Sequence, residues 1–421
     1  FPRGKFLSYG PCQTPVLYLV VKRAIEREQF KKKKLYTLEA KALIEGEKVK
    51  LTYSKGPLEK KEEIIRVLET VRDKKVGVVK VAEYRHKEIL PPVPLNTLEL
   101  ERRASRFLNI RSKEALDIAE DLYQNGLISY PRTETTIYPP TIDVNEIARN
   151  FSQHPEYGLY VRIHLLPRMP ISPRQGDEDD KAHPPIHPVR PASRDFVVKK
   201  FGVKAWKLYD LIVRHFLATL SRESIVEQQK IVVDIGGHDF KIEGLKIIRE
   251  GFYKIYPFEK PRERVLPYVL EGDLVEIESV KLIERETKPP PFLSEAEVLR
   301  LMKKYGIGTD ATMQDHIHTN IARKYFVIRN KRCIPTNLGT ALATALHSIV
   351  PEIVEPEVRG KMEAELVRIA KGEKHPEEVV EYIKKNFLAY YDKLVSNSNV
   401  LVEKLVEALK RVYWSGVLKK S

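Results

Sequence analysis

The sequence predicts an α+β protein of several domains, in which a strand-rich region is split by a helical one. Apolar and polar residues alternate from Tyr36 to about Tyr84 (YTLEAKALI, GVVKVAEY) and again over 225–284 (IVVDI, FKIEGLKII, LVEIESVKLI), the period-two pattern of half-buried strands. Between these stretches the apolar residues recur at helical spacing. Proline clusters, ILPPVP at 89–94 and KPPP at 288–291, interrupt regular structure near the two changes of texture.

In chain order, VLYLVVKRAIEREQF (16–30) reads as an amphipathic helix running into the lysine block 31–34. One helix, KEEIIRVLETVRD, interrupts the first strand stretch. The helical middle holds LNTLELERRASRFL, KEALDIAEDLYQN and VKAWKLYDLIVRHFLATL, with a proline-rich polar interval at 167–191. In KEALDIAEDLYQN, Leu116, Ala119, Leu122 and Tyr123 share a face, and Gly126 sits where a left-handed cap ends the helix. The economical arrangement places both strand stretches in one unit with the helical part inserted. After KPPP a last helical region opens on SEAEVLRLMKKYG, where Ser294 and Glu297 fit a capping box.

A length of 421 residues allows roughly two to four domains at about 150 residues each. The 73 lysines and arginines against 58 acids give +15, which suits a polyanionic partner, although surface ion-pair networks also produce basic chains. No apolar run reaches the roughly 18 residues of a membrane span, and FPRGKFLSYG lacks a basic-then-apolar leader and reads as mid-protein sequence. Cys12 and Cys333 form no CxxC pair, so neither a disulfide framework nor a zinc ribbon is expected, and a reducing cytoplasm fits.

The segment GLISYPRTET (126–135) concentrates chemistry. Pro131 biases Tyr130 towards extended backbone, which puts Tyr130 and Arg132 on the same side. A cation beside a phenol favours the phenolate, and a guanidinium also binds phosphate oxygens, so the pair suits attack on a phosphodiester. An isolated YPR is more often a buried tyrosine with an arginine at a strand end.

Three further stretches accompany it: LSYGPCQTP (7–15), DKAHPPIHP (180–188), and PPPFLSEAEVLRLMKKYGIGTDATMQDHI with IPTNLGTAL downstream. Together the four resemble the ordered motifs of type IA DNA topoisomerases, most closely the archaeal and eukaryotic topoisomerase III branch. Pro11 and Cys12, where bacterial relatives carry Arg-Val, agree with that branch. The resemblance implies a toroid: a strand-rich arch (31–93 and 222–285), an inserted helical, winged-helix-like domain carrying the tyrosine (94–221), and a helical base (1–30 and 286–421). It implies Tyr130 as nucleophile, Arg132 as phosphate cation, and His183 as a phosphate or proton-network partner. It also implies Ser8, Gln13 and Thr133 as nucleic-acid contacts; Ser8 and Gln13 equally suit capping and orienting the helix beginning near Pro15. Cys12 is expected to be packing.

By the same resemblance the chain cleaves and passes single-stranded DNA through a 5′-phosphotyrosine without ATP; the family's zinc ribbons are not expected here, since nothing after Cys333 could ligate a metal, and a cytoplasmic, nucleoid-associated protein with no membrane partner is expected. The family's Toprim domain, with its magnesium-binding acids, glutamate and lysine, precedes the SxGxxQTP motif, and only seven residues precede Ser8 here. The expectation is a chain lacking Toprim, served by one in cis or on a separate polypeptide. No metal ligands are assigned within the chain. The acidic run Asp177, Glu178, Asp179 and Asp180 reads as a solvated loop.

Two other readings stand beside this one. The first is a single-stranded nucleic-acid clamp without catalysis. The second is a tyrosine nuclease of the His-apolar-His type, suggested by His316, Ile317 and His318. That stretch reads as helical, and residues two apart on a helix diverge by about 200°, so the two imidazoles would not share an ion.

Overall fold

Both alternating stretches feed the same object. The structure, a computed structural model, describes residues 8–309 and 312–414; Leu7, Asp310 and Ala311, which fall in two of the motifs, lie outside the described residues. After α1 (Gln13–Glu28) come β1 (Lys34–Ile44), β2 (Glu47–Tyr53), α2 (Lys61–Val71) and β3 (Val76–Ile89). Far along the chain, β4 (Ser224–Ile235), β5 (His238–Arg249) and β6 (Leu274–Glu286) complete a closed antiparallel barrel in the order β1-β2-β5-β4-β3-β6. Closure joins the first strand to the last, with Leu38 opposite Leu282 and Ala40 opposite Val280. The alternation has a direct cause: Leu38, Ala40, Ala42 and Ile44 turn into the barrel core with Leu51, Ile231, Val233, Phe240 and Ile277. Ile64 and Val71 of α2 are fully buried against that core.

Between β3 and β4 lies the helical unit: α3 (Thr97–Arg103), α4 (Ser112–Gln124), α5 (Val144–Asn150), α6 (Gly158–Tyr160), α7 (Arg194–Phe201) and α8 (Val203–Thr219). Its core gathers around α8, where Leu208, Tyr209, Leu211, Ile212, Val213 and Phe216 have no exposed surface. The remaining core joins α1 to α9 (Glu295–Tyr305), α10 (Met313–Ala322), α11 (Asn337–Ile349) and α14 (Ser398–Trp414), with α13 (Pro376–Ser396) packed against it; α12 (Pro356–Ala370) lies against α1 and α9. The capping box at Ser294 and Glu297 is formed. This last region also contains a hairpin, β7 (Phe326–Arg329) and β8 (Arg332–Pro335), that helical periodicity does not suggest; Asn330 and Lys331 turn it at φ of 48° and 61°. Among the described residues no helix is long and apolar enough to cross a membrane.

Candidate active site

The segment carrying Tyr130 is fixed on both sides. Gly126 adopts φ +66°, and the Leu127 N–H donates to the Leu122 carbonyl at 3.0 Å, which closes α4 and releases the chain into an irregular segment with an isolated bridge from Ile128 to Pro188 and bends at Ser129 and Pro131. From there burial alternates: Ser129, Pro131 and Thr133 are buried, while Tyr130 and Arg132 are half-exposed on the opposite side. On one flank Thr97, at the start of α3, donates its hydroxyl to the Pro131 and Thr133 carbonyls at 2.7 and 3.0 Å and accepts the Thr133 N–H at 2.7 Å. On the other, the Ser129 N–H donates to the His187 carbonyl at 2.9 Å and its hydroxyl to that of Pro185 at 3.1 Å. Backbone and hydroxyl bonds therefore hold the phenol's base without engaging its ring.

Against that ring lies the loop 180–188. The Tyr130 and His183 ring centroids are 4.9 Å apart with planes tilted by 42°, and Tyr123 meets Tyr130 edge-on at 5.2 Å. Asp180 sets this loop: Oδ1 accepts the N–H groups of Ala182 and His183, both at 2.8 Å, and Oδ2 accepts the Thr133 hydroxyl and Glu134 N–H, both at 3.3 Å. Partial burial works against the charged form, but these backbone donors, with the Thr135 hydroxyl, hold the Asp180 carboxyl down to about 2. The His183 Nδ1 lies 3.8 Å from Asp180 Oδ2.

Arg132 faces the same side as Tyr130, and Glu120 of α4 accepts from its Nε at 2.6 Å and lies 2.5 Å from Nη2. The guanidinium is thus already matched with a carboxylate, which revises the picture of a bare cation next to the phenol. Thr133 is only 3% exposed, and its hydroxyl is committed to Asp180 and the His183 carbonyl, so it joins the tyrosine segment to the histidine loop rather than presenting itself outward. The acidic run is likewise more than a solvated loop. Glu178 pairs with Lys303 of α9 at 2.5 Å and accepts from Asn96 at 3.1 Å, while Asp177 and Asp179 face solvent.

Ser8 and Gln13 form a separate group against α10. The Ser8 N–H donates to the Tyr325 hydroxyl at 3.2 Å, and that hydroxyl donates to the Ser8 carbonyl at 3.3 Å. The Gln13 side-chain nitrogen lies 3.2 Å from His316 Nδ1, and Asn320 donates to the Gln13 carbonyl at 2.9 Å. The helix begins at Gln13, two residues before Pro15, and its N-cap, Cys12, makes no side-chain cap bond; neither Ser8 nor Gln13 is its N-cap. Burial, and secondarily Arg359, depress the His316 pKa despite Asp315, which favours a neutral ring able to accept the amide N–H.

His316 and His318 both lie within α10, one against Gln13 and the other exposed, so they do not converge as the nuclease reading requires. Cys12 and Cys333 are free and buried. Among the described residues no group of three or more His, Cys, Asp or Glu is placed to hold a metal, and the Asp180 and Glu178 carboxylates are engaged by protein donors. The residues present do not fit the magnesium site associated with the resemblance.

Sequence reasoning missed Glu120, Tyr123 and Asp180. Tyr123, expected on the buried face of α4, is 43% exposed and packs on Tyr130. Its i−3 spacing from Glu120 was the available signal that this edge of α4 faces the following segment.

A family model described as DNA topoisomerase matches residues 2–381. The chain belongs to this family, as a type IA member of the topoisomerase III kind. It is 34% identical over 411 residues to DNA topoisomerase 3-alpha of Arabidopsis thaliana, covering 97% of this chain and 44% of that protein. It is 35% identical over 379 residues to DNA topoisomerase 1 of Archaeoglobus fulgidus, covering 89% and 54%. Its fold matches that of full-length topoisomerase I from Thermotoga maritima with a TM-score of 0.75, at 24% identity over 92% of this chain and 64% of that one. The chain spans about half the length of the two curated relatives.

Proposed function

We propose that the chain is the strand-cleaving and strand-passing part of a type IA DNA topoisomerase, acting on single-stranded DNA in the cytoplasm, at the nucleoid. The observation that carries this reading is the packing of the Tyr130 ring on His183, 4.9 Å between centroids, with Arg132 on the same exposed side. The Tyr130 oxygen attacks a backbone phosphorus, the bond to the 3′ oxygen breaks, and the phenol's proton is balanced by protonation of that leaving oxygen. The resulting 5′-phosphotyrosine keeps the energy of the broken bond, so attack by the 3′ hydroxyl reseals the strand without ATP. Arg132 exchanges Glu120 for the phosphate, and His183, held by the Asp180 loop, lines the same phosphate. Ser8 and Gln13 bear on the strand away from the cleaved bond. The five-part division into arch, inserted unit and base belongs to the same reading, as does a ring closing around DNA.

Magnesium, with the glutamate and lysine that family resemblance assigns to the leaving oxygen, is allotted to a Toprim domain in cis or on a separate polypeptide. The test is gel relaxation of negatively supercoiled DNA. The 421-residue chain alone is expected to be inactive with magnesium, a Toprim domain added in trans to restore relaxation, and Tyr130→Phe to abolish the restored activity. Relaxation by the chain alone would overturn the dependence on Toprim. Retained relaxation in the Tyr130→Phe protein would overturn the nucleophile.

A further inference from the structure

Apart from the Tyr130 cluster, a cleft of about 630 Å³ opens where the helical unit meets the barrel. Tyr160, His164 and Arg168 line it from α6 and the turns that follow; Arg222, Arg249 and Lys254 line it from the ends of β4 and β5. Its size falls within the roughly 300–1,000 Å³ of small-ligand sites. The acids near it are engaged: Glu223 pairs with Arg249, and Glu250 with Lys260 at 2.5 Å. Among the described residues no carboxylate forms an ion pair with Arg168, Arg222 or Lys254.

Three cations without an ion-pair partner therefore face one concavity, in which Glu250 also stands and where Glu223 and Glu250 offset part of the charge of Arg168 and Lys254. Burial first, then the Arg222 charge, pulls the Arg168 pKa down; burial and Lys254 do the same to His164. Like charges crowded in a partly desolvated cleft repel, and an anion between them removes that cost. The walls are not only ionic. Ile163 and Ile248 are 56% and 46% exposed, and the Tyr160 and His164 rings lie 4.8 Å apart, with the Tyr160 hydroxyl tied to Ser221 at 2.7 Å. Cations set beside apolar and aromatic surface match a phosphate carrying a base more closely than a bare inorganic ion.

We propose that this cleft is a second phosphate site, which holds a phosphodiester of a single nucleic-acid strand with its base against the exposed apolar side. A strand seated there is gripped by the helical unit and the barrel together. The site goes beyond the chemistry proposed for Tyr130 and uses none of its residues.

The experiment measures binding of a labelled single-stranded oligonucleotide across a salt series, in a Tyr130→Phe background so that cleavage does not interfere. Replacing Arg168, Arg222 and Lys254 with alanine is expected to weaken binding about fivefold to tenfold, and to flatten the slope of log K against log salt by about 0.7 per phosphate lost. A control triple, Lys41→Ala, Lys55→Ala and Lys74→Ala on the barrel, removes equal charge and is expected to change binding less than twofold. Equal losses in the two triples, or no loss in the first with its thermal midpoint unchanged, would overturn the site. Inorganic pyrophosphate, titrated in parallel, separates the sources. If it stabilises only the chain with an intact cleft while the cleft variant binds the oligonucleotide unchanged, the site is one for free anions and the strand assignment falls. No oligonucleotide binding by any form would overturn this proposal together with the proposed function, whereas unchanged binding by the cleft variant alone would leave the latter standing.

Discussion

Glu120 and Arg132 form a two-point pair, 2.6 Å from carboxylate to Nε and 2.5 Å to Nη2, on the edge of α4 beside the Tyr130 ring. The guanidinium is held in a set orientation by a group that a phosphate, in the role proposed for Arg132, would have to displace. Glu120→Gln is therefore expected to raise single-strand affinity by about twofold to fivefold, and Arg132→Ala to lower it about tenfold, the order of one charge-assisted hydrogen bond. Fluorescence anisotropy with a labelled oligonucleotide reads both; weaker binding by Glu120→Gln would show that the carboxylate positions the cation rather than competing for it.

Tyr130→Phe removes one oxygen from a half-exposed ring whose backbone is held by Thr97 and Ser129. The fold and the binding of single strands are expected to persist within about twofold, since no buried hydrogen bond is lost. Covalent protein–DNA adducts, trapped by denaturant in the presence of a Toprim domain, are expected to disappear. Persistent adducts would move the nucleophile elsewhere.

Asp180 is stabilised in its charged form by four donors from two segments. With the folded-state carboxyl near 2 and a reference value near 3.9, its contribution is fully present above about pH 4 and is lost as the pH falls towards 2. Thermal melts from pH 5 to 2 are expected to fall more steeply for the unaltered chain than for Asp180→Asn, which starts lower. Parallel curves would contradict the assignment of this acid loss to Asp180.

Gly360 lies inside α12, where alanine ordinarily gains about 1 kcal/mol of helix stability. Here an added Cβ would stand 2.0 Å from the backbone carbonyl oxygen of Tyr305, at the end of α9. Backbone gives way less easily than a side chain, and overpacking of this kind costs about 1–3 kcal/mol, so the clash outweighs the propensity. Gly360→Ala is expected to lower the thermal midpoint; a rise would mean that the two helices have room to part.

What the sequence reveals depends on the reach of the cause. Ser294 and Glu297 were legible because a capping box is complete within four residues, and Gly126 because a helix end needs a local left-handed turn. The β7–β8 hairpin was not, since its strands are four residues each and its Asn330–Lys331 turn lacks the usual glycine. The faces of the barrel strands follow from alternation, but the pairing of Leu38 with Leu282 is a tertiary fact that no local pattern encodes. At the site, Tyr130 and Arg132 share the exposed side as the alternation of burial shows, although the chain bends at Ser129 and Pro131. The partner of Arg132, the inward turn of Thr133 and the engagement of Asp180 depend on segments that meet only in the folded chain.

The inserted unit leaves the barrel after Ile89 and returns at Ser224, and these two residues are register partners in the β3–β4 ladder. That adjacency bears on the order in which the molecule assembles. An unstructured connection of this length makes the first β3–β4 contact entropically expensive, whereas a folded insert presents its two ends side by side and turns a distant pairing into something close to a hairpin. The helical unit thus becomes the template on which the sheet nucleates. Pulse-labelled hydrogen exchange is expected to protect α8 before β3 and β4, and a mutation that loosens the α8 core, such as Phe216→Ala, to slow strand protection even though Phe216 is absent from the barrel core.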